Sequence, residues 1–296
     1  INYIDADRKG LSFLNPVETT MHQRQNFSMA TIKEQMYLSR GALLEFGFAC
    51  TLATTRDNPQ GARTYEISPF GRRGNYFVDL SRRSDRQQWI VNAFFPAWDA
   101  AGKHEFKAGI DFERSGFDET VVRHDYVVLR TDGSRARHVS FAGGGDRRKT
   151  NFETALYVMD RWSLRDGLLL ELGLRTDWDQ ILRQPLAAPR AAIAWAPNWL
   201  KDTKISAGVG TFADVLSLDL LTRHQGQRSV AIFYSRSGDV ALGPVETGFW
   251  ADEHSLRVPR ARLWSFTVER KLPLGLYGRA GYLRRRGVEG FTFVDP

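Results

Sequence analysis

The chain has 296 residues, with 42% hydrophobic and 25% charged side chains and a formal charge of 41 − 34 = +7. This composition is that of an ordinary ordered chain. A mean hydropathy of −0.38, with no run of about 18 apolar residues, excludes a transmembrane helix but not a β-barrel, whose inward residues are polar. The arginine excess is scattered among acids, in Gly71-Arg72-Arg73-Gly74, Arg82–Arg86 and Arg284-Arg285-Arg286. No recognition helix or nucleic-acid motif carries it, so no nucleic-acid partner is expected.

In chain order, Ile1-Asn2-Tyr3 lacks the charged-then-apolar pattern of a signal segment and reads as the tail of a strand already under way. A tight turn follows at Ser39-Arg40-Gly41. Leu44, Phe46, Phe48, Cys50 and Leu52 then alternate with Glu45, Gly47, Ala49 and Thr51, the pattern of a strand with one oily face. Cys50, the only cysteine, behaves there as a small hydrophobe and allows neither an internal disulfide nor a multi-cysteine zinc site. Thr54–Ser84 reads as a long loop, and Asp99-Ala100-Ala101-Gly102 as a short turn. In Glu105–Glu113, Phe106, Ala108, Ile110 and Phe112 oppose Lys107, Gly109, Asp111 and Glu113.

Phe117–Thr150 is a second long connection, with a hairpin predicted from Val121–Leu129 to Arg135–Phe141 across Thr131-Asp132-Gly133-Ser134. After the tight turn Arg165-Asp166-Gly167, Leu168, Leu170, Leu172 and Leu174 alternate with Leu169, Glu171, Gly173 and Arg175. Trp178–Ala188 reads as long and Asn198–Asp202 as short. Ile205, Ala207 and Val209 oppose Ser206, Gly208 and Gly210. Ala213–Pro259 is the longest connection, with Asp214–Thr222 a candidate short helix. Trp264, Phe266 and Val268 oppose Ser265, Thr267 and Glu269 before a last turn at Lys271–Gly275.

Two readings fit such strands: a β-sandwich with its oily face in a core, and a barrel with its oily face in lipid. The connections favour the barrel. Short turns and long loops alternate, which puts all turns at one end and all loops at the other, as in outer-membrane barrels. Trp89, Trp98, Trp162, Trp195, Trp199 and Trp264 fall near strand ends, where an interfacial girdle needs them. The expected fold is therefore all-β, an antiparallel meander of about 10–12 strands from a transmembrane barrel with long extracellular loops. Lys107, Asp111, Glu113, Glu171, Arg175 and Asp177 become lumen-lining candidates. Arg72, Arg73, Tyr76, Tyr126, Phe233 and Tyr234 are loop candidates for an anionic or ring-bearing ligand or a lipopolysaccharide phosphate.

The stretch YVMDRWSLRDGLLLELGLRTDWDQ (Tyr157–Gln180) resembles a hairpin common in TonB-dependent outer-membrane receptors. HEFKAGIDFER (His104–Arg114), LAAPRAAIAWAP (Leu186–Pro197) and TKISAGVGTFAD (Thr203–Asp214) extend the resemblance to the Oar-like branch, whose members carry a carboxypeptidase-regulatory-like domain. The resemblance implies a barrel of about 22 strands, an outer-membrane location, contact with membrane lipid and lipopolysaccharide, and engagement of the TonB complex through an N-terminal part and plug. Neither the plug nor the TonB-engaging segment is in this sequence, and it ends in Phe-Val-Asp-Pro instead of an aromatic residue. Residues 1–296 are therefore expected to form part of one barrel domain.

Catalytic and metal motifs are not evident. The six His (His22, His104, His124, His138, His224 and His254) show no HxxxH or HExxH spacing. His124-Asp125 and His138 are the pair a hairpin would bring together, with loop polarity the alternative role. Gly143-Gly144-Gly145-Asp146 lacks the Lys-Ser/Thr of a phosphate loop. No enzyme activity and no cofactor are expected. The function implied is uptake of an iron chelate, cobalamin, saccharide or peptide. A passive channel, an adhesin barrel and a soluble sandwich module are the alternatives.

Overall fold

The computed structural model describes residues 2–213, 216–250 and 256–290. Its strands are β1 (Asn2–Lys9), β2 (Met21–Tyr37), β3 (Leu43–Pro59), β4 (Tyr65–Ser68), β5 (Gly71–Arg73), β6 (Val78–Phe94), β7 (Trp98–Asp99), β8 (Lys103–Arg123), β9 (Tyr126–Leu129) and β10 (Arg135–Ala142). They continue with β11 (Asp146–Arg165), β12 (Leu168–Asp179), β13 (Leu186–Trp195), β14 (Thr203–Ala213), β15 (Arg228–Tyr234), β16 (Val240–Thr247), β17 (Arg260–Lys271) and β18 (Tyr277–Val288). The single short helix is α1 (Leu218–Leu221) among the described residues.

Eleven strands form one antiparallel meander in the order β1-β2-β3-β6-β8-β11-β12-β13-β14-β17-β18, with β7 paired beside β8. The sheet does not close on itself. Left-handed residues shape the tight ends: Arg40, Gly41, Ala101, Gly102, Gly167, Asp202, Leu274 and Gly275 all have positive φ. These are the five short turns expected from sequence. Gly167 shows why one of them is glycine, since an added Cβ would lie 2.4 Å from the Ala196 carbonyl oxygen.

Directly paired residues share a face of a sheet, so the register tests the alternation. Ile32, Phe48, Trp89 and Phe112 lie in one cross-strand row. Phe106, Asp160, Leu172, Ala191, Val209 and Trp264 lie in another. On this face Ile32, Phe46, Trp89, Ile110, Phe112, Leu172, Leu174, Val209, Trp264 and Phe266 are exposed. Larger buried apolar side chains such as Tyr65, Val127, Val139, Leu182, Leu216 and Leu221 lie in the connections, away from the centre of the large sheet. An apolar face this extensive, with no second layer over it, suits lipid and not water. The sandwich alternative fails here.

Aromatic contacts mark both borders of that face. Toward the loops, Phe48, Trp89, Phe112 and Phe152 form a chain with ring centroids 5.2, 5.5 and 6.0 Å apart. Toward the turns, Trp162, Phe106 and Trp98 lie 5.0, 5.7 and 6.0 Å from the His104 ring. That imidazole is ion-paired to Asp160 at 2.7 Å. The two borders are the girdle that amphipathic aromatics form at membrane interfaces.

Two sequence expectations are corrected. The long loops are shorter than expected, because β3, β6, β8 and β11 run for 17, 17, 21 and 20 residues. A tilted transmembrane strand needs only about 9–11. The stretches Thr54–Pro59, Val78–Ser84, Phe117–Arg123 and Asp146–Thr150 are thus paired strand standing beyond the bilayer. Likewise Trp178-Asp179 and Leu186-Ala187 continue β12 and β13, leaving only residues 180–185 between them. The alternation of connection lengths breaks there, although the meander still separates turns from loops.

The second sheet was not anticipated. Its order is β16-β15-β10-β9-β4-β5, assembled from three separate connections, with β4 parallel to β9. The expected DG hairpin is present as β9 and β10, with Gly133 at positive φ, but Val121–Arg123 belongs to β8. Of the expected helix Asp214–Thr222, only Leu218–Leu221 is helical, and Asp214 and Val215 lie outside the described residues. Trypsin added to intact cells should cut after exposed Arg236, in the turn of this loop sheet, and spare Arg165 at the opposite end. Cleavage at Arg165 in unbroken cells, read by mass spectrometry, would reverse the orientation.

Candidate functional site

The polar face of the large sheet carries a cross-strand network. On β2 and β3, Lys33 pairs with Glu45 at 2.7 Å and Gln35 donates to it at 2.9 Å. Asn92 on β6 also donates to Glu45 at 2.9 Å and accepts a short hydrogen bond from the Tyr157 hydroxyl on β11. Tyr157 lies across Gly109, where an added Cβ would meet its ring at 2.4 Å, so only glycine leaves room for this ring. Lys107 and Arg175 sit 5.6 and 5.9 Å from the ring centroid. Arg175 holds Asp177 at 2.7 Å and Asp111 at 3.5 Å, and Gln88 donates to Asp111 at 3.0 Å.

Nearer the loops the balance turns acidic. Arg86 pairs with Glu113 at 2.5 Å. Asn151 donates to Glu153 at 2.9 Å and to Asp179 at 2.5 Å. The register aligns Glu113, Glu153 and Asp179 in one row and Asp111, Ala155 and Asp177 in the next. A hollow with about 980 Å³ of empty space is lined by Arg86, Asp111, Glu113, Glu153, Arg175 and Asp177, among others. A second, of about 1390 Å³, includes Lys107, Tyr157, Glu171, Arg175 and Arg190. The six residues singled out on β8 and β12 thus share a face, with β11 between them. Glu45 sits on the polar face that the alternation of its strand predicts, whereas Asn92, Glu153 and Tyr157 escaped sequence reading because their segments do not alternate cleanly. The mixed sequence RRSDRQQW around β6 hides which residues point which way until the register is known.

One connection folds down over this face. Leu216, Leu218 and Leu221 pack on Phe117 and Leu182 in a buried cluster. Glu119 is 1% exposed. It accepts from Arg82 at 2.5 Å and from Arg147 at 2.8 Å. Arg147 also reaches Asp219 of α1 at 2.9 Å. Both guanidiniums lie over the Phe117 ring, at 5.6 and 5.5 Å. Two arginines fully neutralise the buried carboxylate, and through Arg147 they tie the connection to the wall.

The loop candidates separate into three groups. Tyr76 and Tyr126 belong to an aromatic cluster: Tyr76 is 5.6 Å from Tyr65 and 4.9 Å from Phe77, and Phe77 is 4.8 Å from Tyr126. Burial raises the Tyr65 and Tyr76 phenols above their ordinary pKa. Phe233 and Tyr234 lie under Arg137 and Arg135, at 5.8 and 5.6 Å. Arg72 and Arg73 are on β5, at the far edge of the loop sheet from β15. With four inter-strand spacings between β5 and β15, the arginine pair and the Phe233–Tyr234 pair are roughly 19 Å apart. His138 pairs with Asp125 at 3.2 Å. Among the described residues, the group close enough to share a cation is Asp5, Asp7 and His22, all near the loop end of β1 and β2.

An open antiparallel wall with an apolar outer face, two aromatic borders, a polar inner face and loops gathered at one end is part of an outer-membrane β-barrel. The family model described as "TonB dependent receptor-like, beta-barrel" matches residues 18–214, and the chain belongs to that family. Searching curated proteins gave no match. Among solved structures, the outer membrane transporter YddB from Escherichia coli is similar at 18% identity and TM-score 0.70, over 96% of this chain and 36% of that one. The ferric-catecholate import receptor Fiu from E. coli K12 matches at 11% identity and TM-score 0.56, over 91% and 42%. The alcaligin receptor FauA from Bordetella pertussis matches at 12% and 0.53, over 90% and 38%. At such identities the likeness is one of fold. The chain spans between about a third and two fifths of the length of these structures.

Proposed function

We propose that this chain is one wall of an outer-membrane receptor that imports a solute with energy relayed by the TonB complex through a plug and N-terminal segment elsewhere in the protein. The observation that carries this reading is the connected polar inner face, roofed at its loop end by the Glu119-anchored connection. Lys107, Asp111, Glu113, Glu171, Arg175 and Asp177 line the route or contact the plug. With both signs of charge present, they make a mixed field, so they do not impose a single ionic selectivity. Ligand choice rests with the loop sheet. Its accessible arginines and rings, Arg72, Arg73, Phe233 and Tyr234, meet an anionic or ring-bearing solute, while Tyr76 and Tyr126 set the shape of the sheet. The solute classes in keeping with the family are iron chelates, cobalamin, saccharides and peptides.

The test is uptake of labelled members of each class by cells carrying the full-length receptor, with and without collapse of the inner-membrane proton gradient. One class should accumulate, and its uptake should stop on collapse. Uptake that survives collapse would identify a passive channel. Surface attachment with no uptake would identify an adhesin.

A further inference from the structure

At the loop end of the inner face, acids outnumber bases. Glu113, Glu153 and Asp179 stand side by side on β8, β11 and β12. Arg86 is taken by Glu113, at 2.5 Å. Among the described residues, neither Glu153 nor Asp179 has a basic side chain within ion-pair distance. The buried side chain of Asn151 reaches between these two acids. It is 1% exposed, and its nitrogen donates to Glu153 at 2.9 Å and to Asp179 at 2.5 Å. The oxygen of the same amide is buried and has no hydrogen-bond partner among the described residues. Buried polar atoms are seldom left in that condition. The Asp5, Asp7 and His22 group differs, being largely exposed and approached by Arg24 at 3.5 Å.

Carboxylates this close repel one another, and a neutral amide nitrogen shared between two of them does not balance their charge. A half-turn of the Asn151 amide exchanges its nitrogen for its oxygen. Three oxygens, from Asn151, Glu153 and Asp179, then converge on one point. Only a cation at that point favours the arrangement, and it gives the stranded oxygen a partner. Both carboxylate oxygens are bonded to one nitrogen, so the sum of those two distances, 5.4 Å, is their greatest separation. Calcium, with oxygen ligands at up to about 2.6 Å, bridges about 5.2 Å, whereas magnesium demands a tighter cage with bonds of about 2.1 Å. Carboxylates and an Asn carbonyl are ordinary calcium ligands. We propose that Asn151, Glu153 and Asp179 form a calcium site in the barrel wall, with water completing the shell. The other oxygen of Asp179 accepts from the backbone N–H groups of Ile181 and Leu182, each at 2.8 Å, and Leu182 packs beneath α1. The ion thereby steadies the turn on which the roof of the hollow rests. The site does not depend on which solute is imported.

The experiment uses the full-length receptor, stripped of metal in detergent and loaded with terbium, a luminescent substitute for calcium. Trp178, next to Asp179, serves to excite the bound ion. Calcium should displace terbium in the range of about 0.1–1 mM that extracellular sites show, and magnesium should do so less well. E153Q should bind calcium at least about tenfold more weakly. N151D, which sets a third carboxylate at the same point, should bind calcium at least as tightly as wild type, and calcium should raise its unfolding temperature. An Asn151 that serves only as a donor to two acids predicts the reverse, because aspartate cannot donate and calcium would not restore the loss. If E153Q does not fold, N151D alone decides. Equal calcium binding by wild type and E153Q, loss of binding in N151D, or no binding by wild type at about 10 mM calcium would overturn the proposal. Displacement by magnesium as effective as that by calcium would overturn the assignment of the ion.

Discussion

Truncating Glu119 to alanine should release the connection that carries α1 from the wall, at a cost of about 3–5 kcal/mol. The carboxylate is buried and holds Arg82 and Arg147. Its removal leaves Arg147, itself 9% exposed, with Asp219 as its remaining partner. The expected readout is faster proteolysis after Arg223 and Arg228, with the barrel's thermal unfolding little changed, because the membrane-crossing pairings do not depend on Glu119. Replacing both partners by apolar side chains, Glu119→Leu with Arg147→Met, should recover much of the loss, since a buried pair exchanged for packed hydrocarbon is often close to neutral. If Glu119→Ala leaves proteolysis unchanged, the ion network does not anchor the connection.

The second large effect is on the apolar face. Leu172 is 46% exposed there, in the row of Phe106, while its neighbour Glu171 is on the opposite face, in the row of Arg161 and Glu105. Leu172→Arg should destabilise the folded barrel by about 2–4 kcal/mol in lipid, and Glu171→Arg should be tolerated. Reversible unfolding of the full-length receptor in bilayers measures the difference. Spin labels give an independent check: Leu172 should report a hydrocarbon environment and Glu171 water. The opposite pair of environments would turn the sheet inside out.

Much of the wall was legible because a period of two is a local property. The runs Leu44–Leu52, Phe106–Phe112 and Leu168–Leu174 disclose their faces without knowledge of any partner. The turns at Arg40-Gly41, Asp166-Gly167 and Leu274-Gly275 declare themselves through the small or left-handed residues they need. Strand length was less legible. Residues such as Arg82, Arg83, Asp118 and Arg148 look like loop because they are charged on both faces, yet outside the bilayer both faces of a paired strand meet water. The loop sheet was not legible at all. Its parallel pair joins Tyr65–Ile67 to Tyr126–Val128, and its β10–β15 pair joins Arg137–Ala142 to Arg228–Phe233. Short segments of ordinary strand composition contain nothing that names a partner 60 or 90 residues away. The candidate site followed the same division: the face of Lys107, Asp111 and Arg175 was readable, and their linkage through Tyr157 and Gln88 was not.

The composite origin of the loop sheet restricts how the receptor's outer surface can diversify. Three separated stretches of the chain supply neighbouring strands, so a foreign segment introduced at one of them inherits two strangers as pairing partners and leaves their backbone groups unmatched. Mosaic exchange between related genes therefore works best when all three stretches travel together. Single substitutions should be tolerated best in the turns at Thr131–Ser134 and Ser235–Asp239, which belong to no ladder. An exchange that keeps the three stretches together should preserve the loop sheet, and an exchange of one stretch alone should disrupt it.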